Sequence, residues 1–130
     1  MPIEPGIKHS VSCTVTPEDT ASAFGSGGLD VLATPKLVAL MENAALNCVK
    51  PYLEEGTDTV GTHLDVAHLA ATPVGMTVRA EAELIEVDRR RLVFSVKAWD
   101  EVELVGEGTH ERFIVGMDKF LAKCNGKLSK

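Results

Sequence analysis

A single segment of this chain carries the periodicity of a long α-helix. Thr34-Pro35 is a favourable helix start, apolar residues then recur at steps of three and four over about 16 residues, and Pro51 ends the pattern. The apolar stripe consists of Leu37, Leu40, Met41, Ala44, Ala45 and Cys48. One helix cannot bury such a stripe alone, so the rest of the chain must supply a surface that covers it.

The other patterned segments alternate with a period of two, which is typical of strands. We expect one strand before the helix and four after it, over residues 7–15, 60–70, 76–84, 92–98 and 102–115. Hairpin turns are expected at residues 88–91 and 100–101. Consecutive strands of this kind form an antiparallel sheet that can wrap the helix, which predicts one α+β domain over residues 1–130.

Two segments follow neither period. Residues 17–33 contain the glycine-rich stretch FGSGG, which predicts an irregular, mobile loop. The tail after residue 115 is polar and rich in lysine, so we expect it to be partly helical or frayed.

Charge and cysteine content exclude several classes of function. The net charge of −6 repels a phosphate backbone, so nucleic acid is not an expected partner. The three cysteines are widely spaced and form no C-x-x-C pair, which predicts reduced thiols in a cytoplasmic protein rather than disulfides or a zinc site. The first residues lack an apolar signal core, and no apolar run reaches the ~20 residues that a membrane helix needs.

Polar side chains within apolar segments are the first candidates for chemistry. Glu42, on the predicted helix, is either an exposed residue at the edge of the stripe or a general base or nucleophile. Thr34 is either the helix N-cap or a second polar group near the same side, because eight residues make a little over two turns. His68, where a strand meets a turn, is either structural or catalytic.

Further histidines and two basic segments complete the candidates. The His110-Glu111-Arg112 cluster lies on the last predicted strand. Arg89-Arg90-Arg91, in the predicted hairpin, is either a solvated turn or a docking point for the phosphates of a ligand, a role for which Lys123 and Lys127 are rivals. His63 and His68 are five residues apart and would lie on opposite faces of a strand, so we expect no metal site.

Four stretches of the sequence carry a resemblance to a known family: LMENA, KPYLEEG, VGTHLDVAHLAATPVGMTV and GEGTHER. In order and spacing they resemble the fluoroacetyl-CoA thioesterase family of hot-dog proteins, between Val31 and Lys123. The resemblance implies a hot-dog fold, in which an antiparallel sheet of about five strands wraps one long central helix. It also implies an acyl-CoA substrate and a homodimer with active sites at the subunit interface, without a cofactor.

The resemblance also assigns roles to individual residues. The family's catalytic threonine precedes its glutamate by eight residues, as Thr34 precedes Glu42, and the motif V-x-H-x-A-A-T-P places the catalytic histidine at His68. A glycine seven residues before that histidine belongs to the acyl-binding site and corresponds to Gly61. The arginine of G-T-H-E-R corresponds to Arg112.

One region departs from the family pattern. The fluoroacetyl-specific enzyme has a phenylalanine-rich lid before the threonine, whereas here the gate position falls near Gly28 and only Phe24 is close. A glycine does not wall off a very small acyl group, so the predicted activity is hydrolysis of a small acyl thioester without selectivity for fluoroacetyl-CoA, in a pocket that accepts a different or larger acyl chain. The alternatives are a non-catalytic acyl-CoA-binding domain and, ranked last, a hydratase or dehydratase. Whether the carrier is coenzyme A or an acyl-carrier protein is left open.

Overall fold

The predicted helix and strands are present in the expected order in the computed structural model, which describes residues 2–129. The strands are β1 (Lys8–Thr14), β2 (Thr57–His68), β3 (Thr77–Asp88), β4 (Arg91–Trp99) and β5 (Leu104–Gly116). The helices are α1 (Ala21–Phe24), α2 (Thr34–Val49) and α3 (Met117–Asn125). Single 3-10 turns lie at Pro17–Asp19, Lys50–Tyr52 and Gly126–Ser129.

The five strands form one antiparallel sheet in the order β1-β3-β4-β5-β2. Strand β2 therefore lies at an edge of the sheet, and residues 61–65 of this strand are exposed. A β-bulge interrupts the pairing of β2 with β5 between Gly61 and His63. Helix α2 contacts all five strands, which is the arrangement of one helix against an antiparallel sheet that the sequence predicts.

The apolar stripe of α2 packs directly onto the sheet. Leu37 and Met41 are fully buried, and burial of each such side chain contributes roughly 1.5–3 kcal/mol. The helix approaches β5 closely at Gly106, where an added Cβ would lie 2.9 Å from Leu37 Cδ2 and 3.0 Å from Met41 Cε. The absence of a side chain at Gly106 thus sets how near the helix lies to the sheet, and with it the position of every polar residue on α2.

The segment before α2 is more ordered than the sequence predicts. Residues 17–33 contain a 3-10 turn and helix α1, with bridges between Thr20 and Leu32 and between Val31 and Pro73. Leu32 is 1% exposed, and its backbone N–H donates to Thr72 O at 2.9 Å. The prediction of an irregular loop is therefore wrong for most of the segment, because elements this short leave no periodicity in a sequence.

The polar tail forms helix α3, which has no buried residue. None of the helices within residues 2–129 combines the length and the apolar character needed to cross a membrane.

Candidate active site

The first turn of α2 meets the end of β2 through a single polar contact. Thr34 is the first helical residue, and the N-cap is Ala33, whose carbonyl accepts the first helical hydrogen bond from Leu37 N at 3.0 Å. The prediction of Thr34 as N-cap is thus wrong by one residue. The Thr34 hydroxyl is free for another partner, and it forms a 2.7 Å hydrogen bond with Nδ1 of His68.

His68 is half-buried and keeps one ring nitrogen unused. Its Nε2 is buried and makes no hydrogen bond to any of residues 2–129. Desolvation lowers the pKa of His68 below its usual range, against a smaller opposing effect of the Ala70 backbone, so the ring is neutral near pH 7. Because Nδ1 is engaged by Thr34, Nε2 is available to a ligand, as an acceptor when Nδ1–H donates to the hydroxyl and as a donor in the other tautomer.

A cavity of about 330 Å³ opens beside the Thr34–His68 pair. It is lined by Ala21, Ser26, Val31, Leu32, Thr34, His68, Leu69, Ala70 and Ala71, and none of these is a phenylalanine, tyrosine or tryptophan. Gly28 faces open space, and Phe24, 48% exposed, does not line the cavity. Most of the wall is therefore small or aliphatic, and no aromatic gate from the described residues narrows it.

The second polar group surrounds Glu42, two turns further along α2. Glu42 is half-buried, and its Oε2 lies 3.0 Å from the point that a Cβ on Gly61 would occupy. His110 Cε1 and Arg112 Nη1 lie 3.2 Å and 3.4 Å from the same point. Gly61 is therefore the position whose missing side chain leaves room for a carboxylate, an imidazole and a guanidinium to converge.

Arg112 is 7% exposed, and each of its nitrogens has a partner. Nε donates to Thr59 Oγ1 and Nη2 donates to Thr59 O, both at 2.9 Å. Nη1 lies 3.1 Å from His110 Nε2, and because a guanidinium only donates, Nε2 must accept. The proton of His110 is then on Nδ1, which donates to His63 O at 2.8 Å.

This tautomer agrees with the electrostatics of the buried group. Burial lowers the pKa of fully buried His110, and the Arg112 charge lowers it further, while the carbonyl of His63 and the carboxylate of Glu42 oppose the shift. Burial also lowers the pKa of Arg112, and Glu42 is the first group that raises it again. A neutral His110 thus lies between a protein carbonyl and a buried cation, with Glu42 as the compensating anion.

The two polar groups do not touch. Eight residues of helix separate Thr34 from Glu42 by about 12 Å along the axis and roughly 80° around it. Thr34 and Glu42 are therefore too far apart to touch, although both were expected near one side of the helix. The structure brings Thr34 together with His68, and Glu42 together with Gly61 and Arg112.

Two residues of the site were underrated or missed from sequence. The sequence indicates His110 only as part of the His110-Glu111-Arg112 cluster and gives no signal for Thr59, yet both form hydrogen bonds with Arg112. The spacing H-x-R on a strand does place His110 and Arg112 on one face. Thr59 lies on β2, and only the pairing of β2 with β5 brings it to Arg112. Within residues 2–129 no cluster of three or more His, Cys, Asp or Glu side chains is placed to hold a metal ion.

The family model of the fluoroacetyl-CoA-specific thioesterases matches residues 15–118, which include both polar groups. This chain belongs to the fluoroacetyl-CoA-specific thioesterase family. A fluoroacetyl-CoA thioesterase from Streptantibioticus cattleyicolor is 47% identical over 98 residues, which make up 75% of this chain and 70% of that protein. The family predicted from the sequence resemblance is thereby confirmed.

This thioesterase family member has the fold of a hot-dog-like protein from Thermanaerovibrio acidaminovorans, which is 24% identical, with 95% of this chain and 91% of that chain covered and a TM-score of 0.86. The structure of the fluoroacetyl-CoA thioesterase FlK is 38% identical, covers 98% of both chains and has a TM-score of 0.92. A thioesterase superfamily member from Thermus thermophilus is 32% identical, with 98% of this chain and 95% of that chain covered and a TM-score of 0.91. The predictions of a hot-dog fold and of a thioester hydrolase are confirmed.

Proposed function

We propose that this chain hydrolyses a short acyl thioester of coenzyme A, with Thr34, Glu42 and His68 as the catalytic set. The observation that carries the proposal is the state of His68. Its ring is fixed at Nδ1 by Thr34, while Nε2 is buried beside a cavity without a partner. A neutral imidazole with one free nitrogen at a cavity wall suits proton transfer in a hydrolytic reaction.

Hydrolysis of a thioester needs a base for water and a proton for the leaving thiolate. With Nδ1–H donated to Thr34, His68 Nε2 takes a proton from water as the oxygen adds to the carbonyl carbon. The resulting imidazolium returns that proton to sulfur as the C–S bond breaks, which yields the acid and the thiol. Glu42 orients the water and stabilises the imidazolium between the two steps.

Gly61 and Arg112 are proposed to bind the acyl carbonyl. Glu42 Oε2 and Arg112 Nη1 both lie within 3.4 Å of the point that a Cβ on Gly61 would occupy, so the buried guanidinium is one donor at this place and a backbone N–H near Gly61 is the other. Donors of this kind stabilise the negative charge that develops on the carbonyl oxygen.

A complete site requires a second copy of the chain, because His68 and Glu42 belong to groups about 12 Å apart along α2. The exposed edge of β2 supports pairing with β2 of a second copy around a two-fold axis near residues 64–65. Antiparallel pairing there sets His68 of the partner subunit opposite residues 60–62, next to Gly61 and Glu42. Each site of the proposed homodimer thus uses Glu42 from one protomer and His68 from the other.

The acyl group is proposed to enter the cavity beside Thr34 and His68. Most of its wall is small or aliphatic, and neither Phe24 nor the position of Gly28 contributes an aromatic gate. Relatives of this chain are named for fluoroacetyl-CoA, and one was solved in complex with acetyl-CoA. We expect this chain to prefer acyl groups larger than fluoroacetyl, because the cavity has room for them.

Mixing two inactive variants tests whether Glu42 and His68 are catalytic and whether each site takes them from different protomers. Glu42→Ala and His68→Ala should each lower thiol release from a series of acyl-CoA thioesters of graded length by about 10²–10⁴. Equilibrated mixtures of the two should recover about a quarter of wild-type activity, because half of the dimers are mixed and each has one intact site.

Glu42→Ala mixed with fresh Glu42→Ala protein is the matched control and should stay inactive. Recovery in the control, or none in the mixture of two different variants, contradicts the shared site. Binding of acyl-CoA by the wild type without any thiol release would instead support the acyl-CoA-binding alternative.

A further inference from the structure

Three consecutive arginines at the β3–β4 hairpin have different environments. Arg91 Nε bonds Glu111 Oε1 at 2.8 Å, and its Nη1 bonds Glu86 Oε2 at 2.9 Å. Arg89 and Arg90 form the two-residue turn that the sequence predicts, and neither makes an ion pair with any of residues 2–129. Arg91 thus has a structural partner on each side, whereas its two neighbours have none.

Arg89 also occupies an unfavourable backbone conformation. Its φ is 59°, the only positive value at a non-glycine residue within residues 2–129. Two-residue hairpin turns favour asparagine or glycine at such positions, because other side chains raise the energy of a left-handed backbone. The fold therefore gives no reason for an arginine here, and strain of this kind is often found where a side chain has a function.

Arg89 and Arg90 line an open cleft of about 850 Å³, within the range of roughly 300–1,000 Å³ typical of small-molecule sites. Lys119 of α3 adds a third cation to the lining, and Glu54 is its one carboxylate. Positive charge is thus concentrated in one cleft of a chain whose net charge is −6. Tyr52 adds an aromatic ring to the lining.

The cleft lies on the same face of the sheet as the Glu42 group. Ile114, two residues beyond Arg112 on β5, lines the cleft, and so does Thr57, two residues before Thr59 on β2. Thr57 is four residues from Gly61, which is about 13 Å along an extended strand. The exposed stretch of β2 proposed to pair with a second copy, residues 61–65, contributes nothing to the cleft, so that pairing leaves the cleft open.

We propose that this cleft binds the phosphorylated adenosine end of coenzyme A. Arg89, Arg90 and Lys119 contact the phosphates, and Tyr52 offers a surface to the adenine. The pantetheine arm has about as many chain atoms as four extended residues, which span roughly 13 Å, so it reaches from the cleft to Gly61. The inference rests on the proposed function and adds the place on this chain where the nucleotide end of the substrate binds.

Binding of free coenzyme A tests the cleft without requiring hydrolysis. Calorimetry should show coenzyme A binding at least about tenfold more weakly to the Arg89→Asn/Arg90→Gln protein than to the wild type. Pantetheine, which lacks the nucleotide, should bind both proteins equally. Lys123→Gln/Lys127→Gln is the matched control, since it removes the same charge from outside the cleft, and it should change the affinity by less than about twofold.

The single variant Arg89→Asn separates a binding role from a structural one. Asparagine tolerates the left-handed backbone, so the melting temperature of this variant should stay at the wild-type value. Its affinity for coenzyme A should fall. An unchanged affinity in the double variant overturns the proposal, as does a larger loss in the Lys123→Gln/Lys127→Gln control. In a further outcome, the double variant binds coenzyme A as tightly as the wild type does but hydrolyses an acyl-carrier-protein substrate more slowly. That result overturns the proposal and assigns the cleft to a carrier protein.

The outcomes also separate this inference from the proposed function. A wild-type protein that binds coenzyme A through the cleft but hydrolyses no thioester supports the inference and contradicts the function. If the double variant hydrolyses acyl-CoA normally and binds coenzyme A as tightly as the wild type, the proposed function is supported and the inference about the cleft is contradicted.

Discussion

The two polar groups on α2 differ in how their hydrogen-bonding capacity is used. Around Arg112, every guanidinium nitrogen and both nitrogens of His110 have partners within the chain. The Thr34–His68 pair has one hydrogen bond, an exposed hydroxyl and a buried Nε2 with no partner. Buried polar groups are normally satisfied, so a satisfied network indicates a framework and an unsatisfied atom indicates a place for a ligand. The comparison therefore supports the proposal that His68 transfers protons, while the Arg112 network holds the proposed carbonyl-binding side of the site in place.

Substitution at the centre of each group should separate these roles most strongly. Arg112→Met leaves His110, Thr59 and Glu42 without their shared partner, and should reduce the free energy of unfolding by about 3–5 kcal/mol. His68→Ala removes one partly exposed hydrogen bond and should cost about 1 kcal/mol or less. The activity of His68→Ala should nonetheless fall by about 10²–10⁴. Urea denaturation measures the free energy of unfolding, and thiol release measures the activity. An equal loss of stability in the two variants would contradict the different roles of the two polar groups.

Two replacements of His110 should sharpen the account of the Arg112 network. Glutamine carries a carbonyl near the position of Nε2 and can still accept from Arg112, whereas asparagine reaches only the position of Nδ1 and can still donate to His63 O. We expect His110→Gln to keep most activity and His110→Asn to lower kcat/KM about tenfold, or 1.4 kcal/mol. The reverse order of the two variants would show that the bond to His63, not the bond to Arg112, is the important one.

A smaller effect is expected at Thr34. Thr34→Ser retains the hydroxyl that fixes His68 Nδ1 and should keep wild-type activity. Thr34→Ala loses a hydrogen bond worth about 1 kcal/mol and should lower kcat roughly fivefold. Equal loss in the two variants would indicate a steric role for the threonine methyl group.

The smallest expected effect concerns pH and stability. The pKa values of His68 and His110 are both lowered by burial, so the unfolded chain binds protons that the folded chain does not. Their contribution to stability is complete above the unfolded value of about 6.5 and declines as pH falls below it. We expect the melting temperature to drop by a few degrees between pH 7.5 and 5.5, and to drop less in His110→Gln. The groups around His110 are Arg112, Glu42, Glu111 and the His63 carbonyl. Equal pH sensitivity of the two proteins would exclude His110 as a source.

The sequence predicted the elements and left the contacts open, for a physical reason. The stripe on α2 and the alternation of the strands are local patterns, and they gave the fold class and the strand number. The partners of Arg112 come from strands joined by sheet pairing, and the Thr34–His68 bond joins residues 34 positions apart. The order of residues 17–33 likewise depends on Thr72 and Pro73, which lie far away in the chain. Roles for Glu42 and His68 came from the family resemblance, since periodicity alone favoured an exposed glutamate and a structural histidine.

The bulge in β2 changes the phase of the strand between the two halves of the site. Gly61 and His68 are seven residues apart, and an uninterrupted strand would turn them to opposite faces. Their partners on β5, Arg112 and Gly106, are six residues apart, so the extra residue between Gly61 and His63 restores both to the face beneath α2. A single inserted or deleted residue at this point would keep both Gly61 and His68 in the chain and still point one of them away from the helix. The one-residue irregularity is therefore as much a part of the sequence signature as the side chains that it aligns.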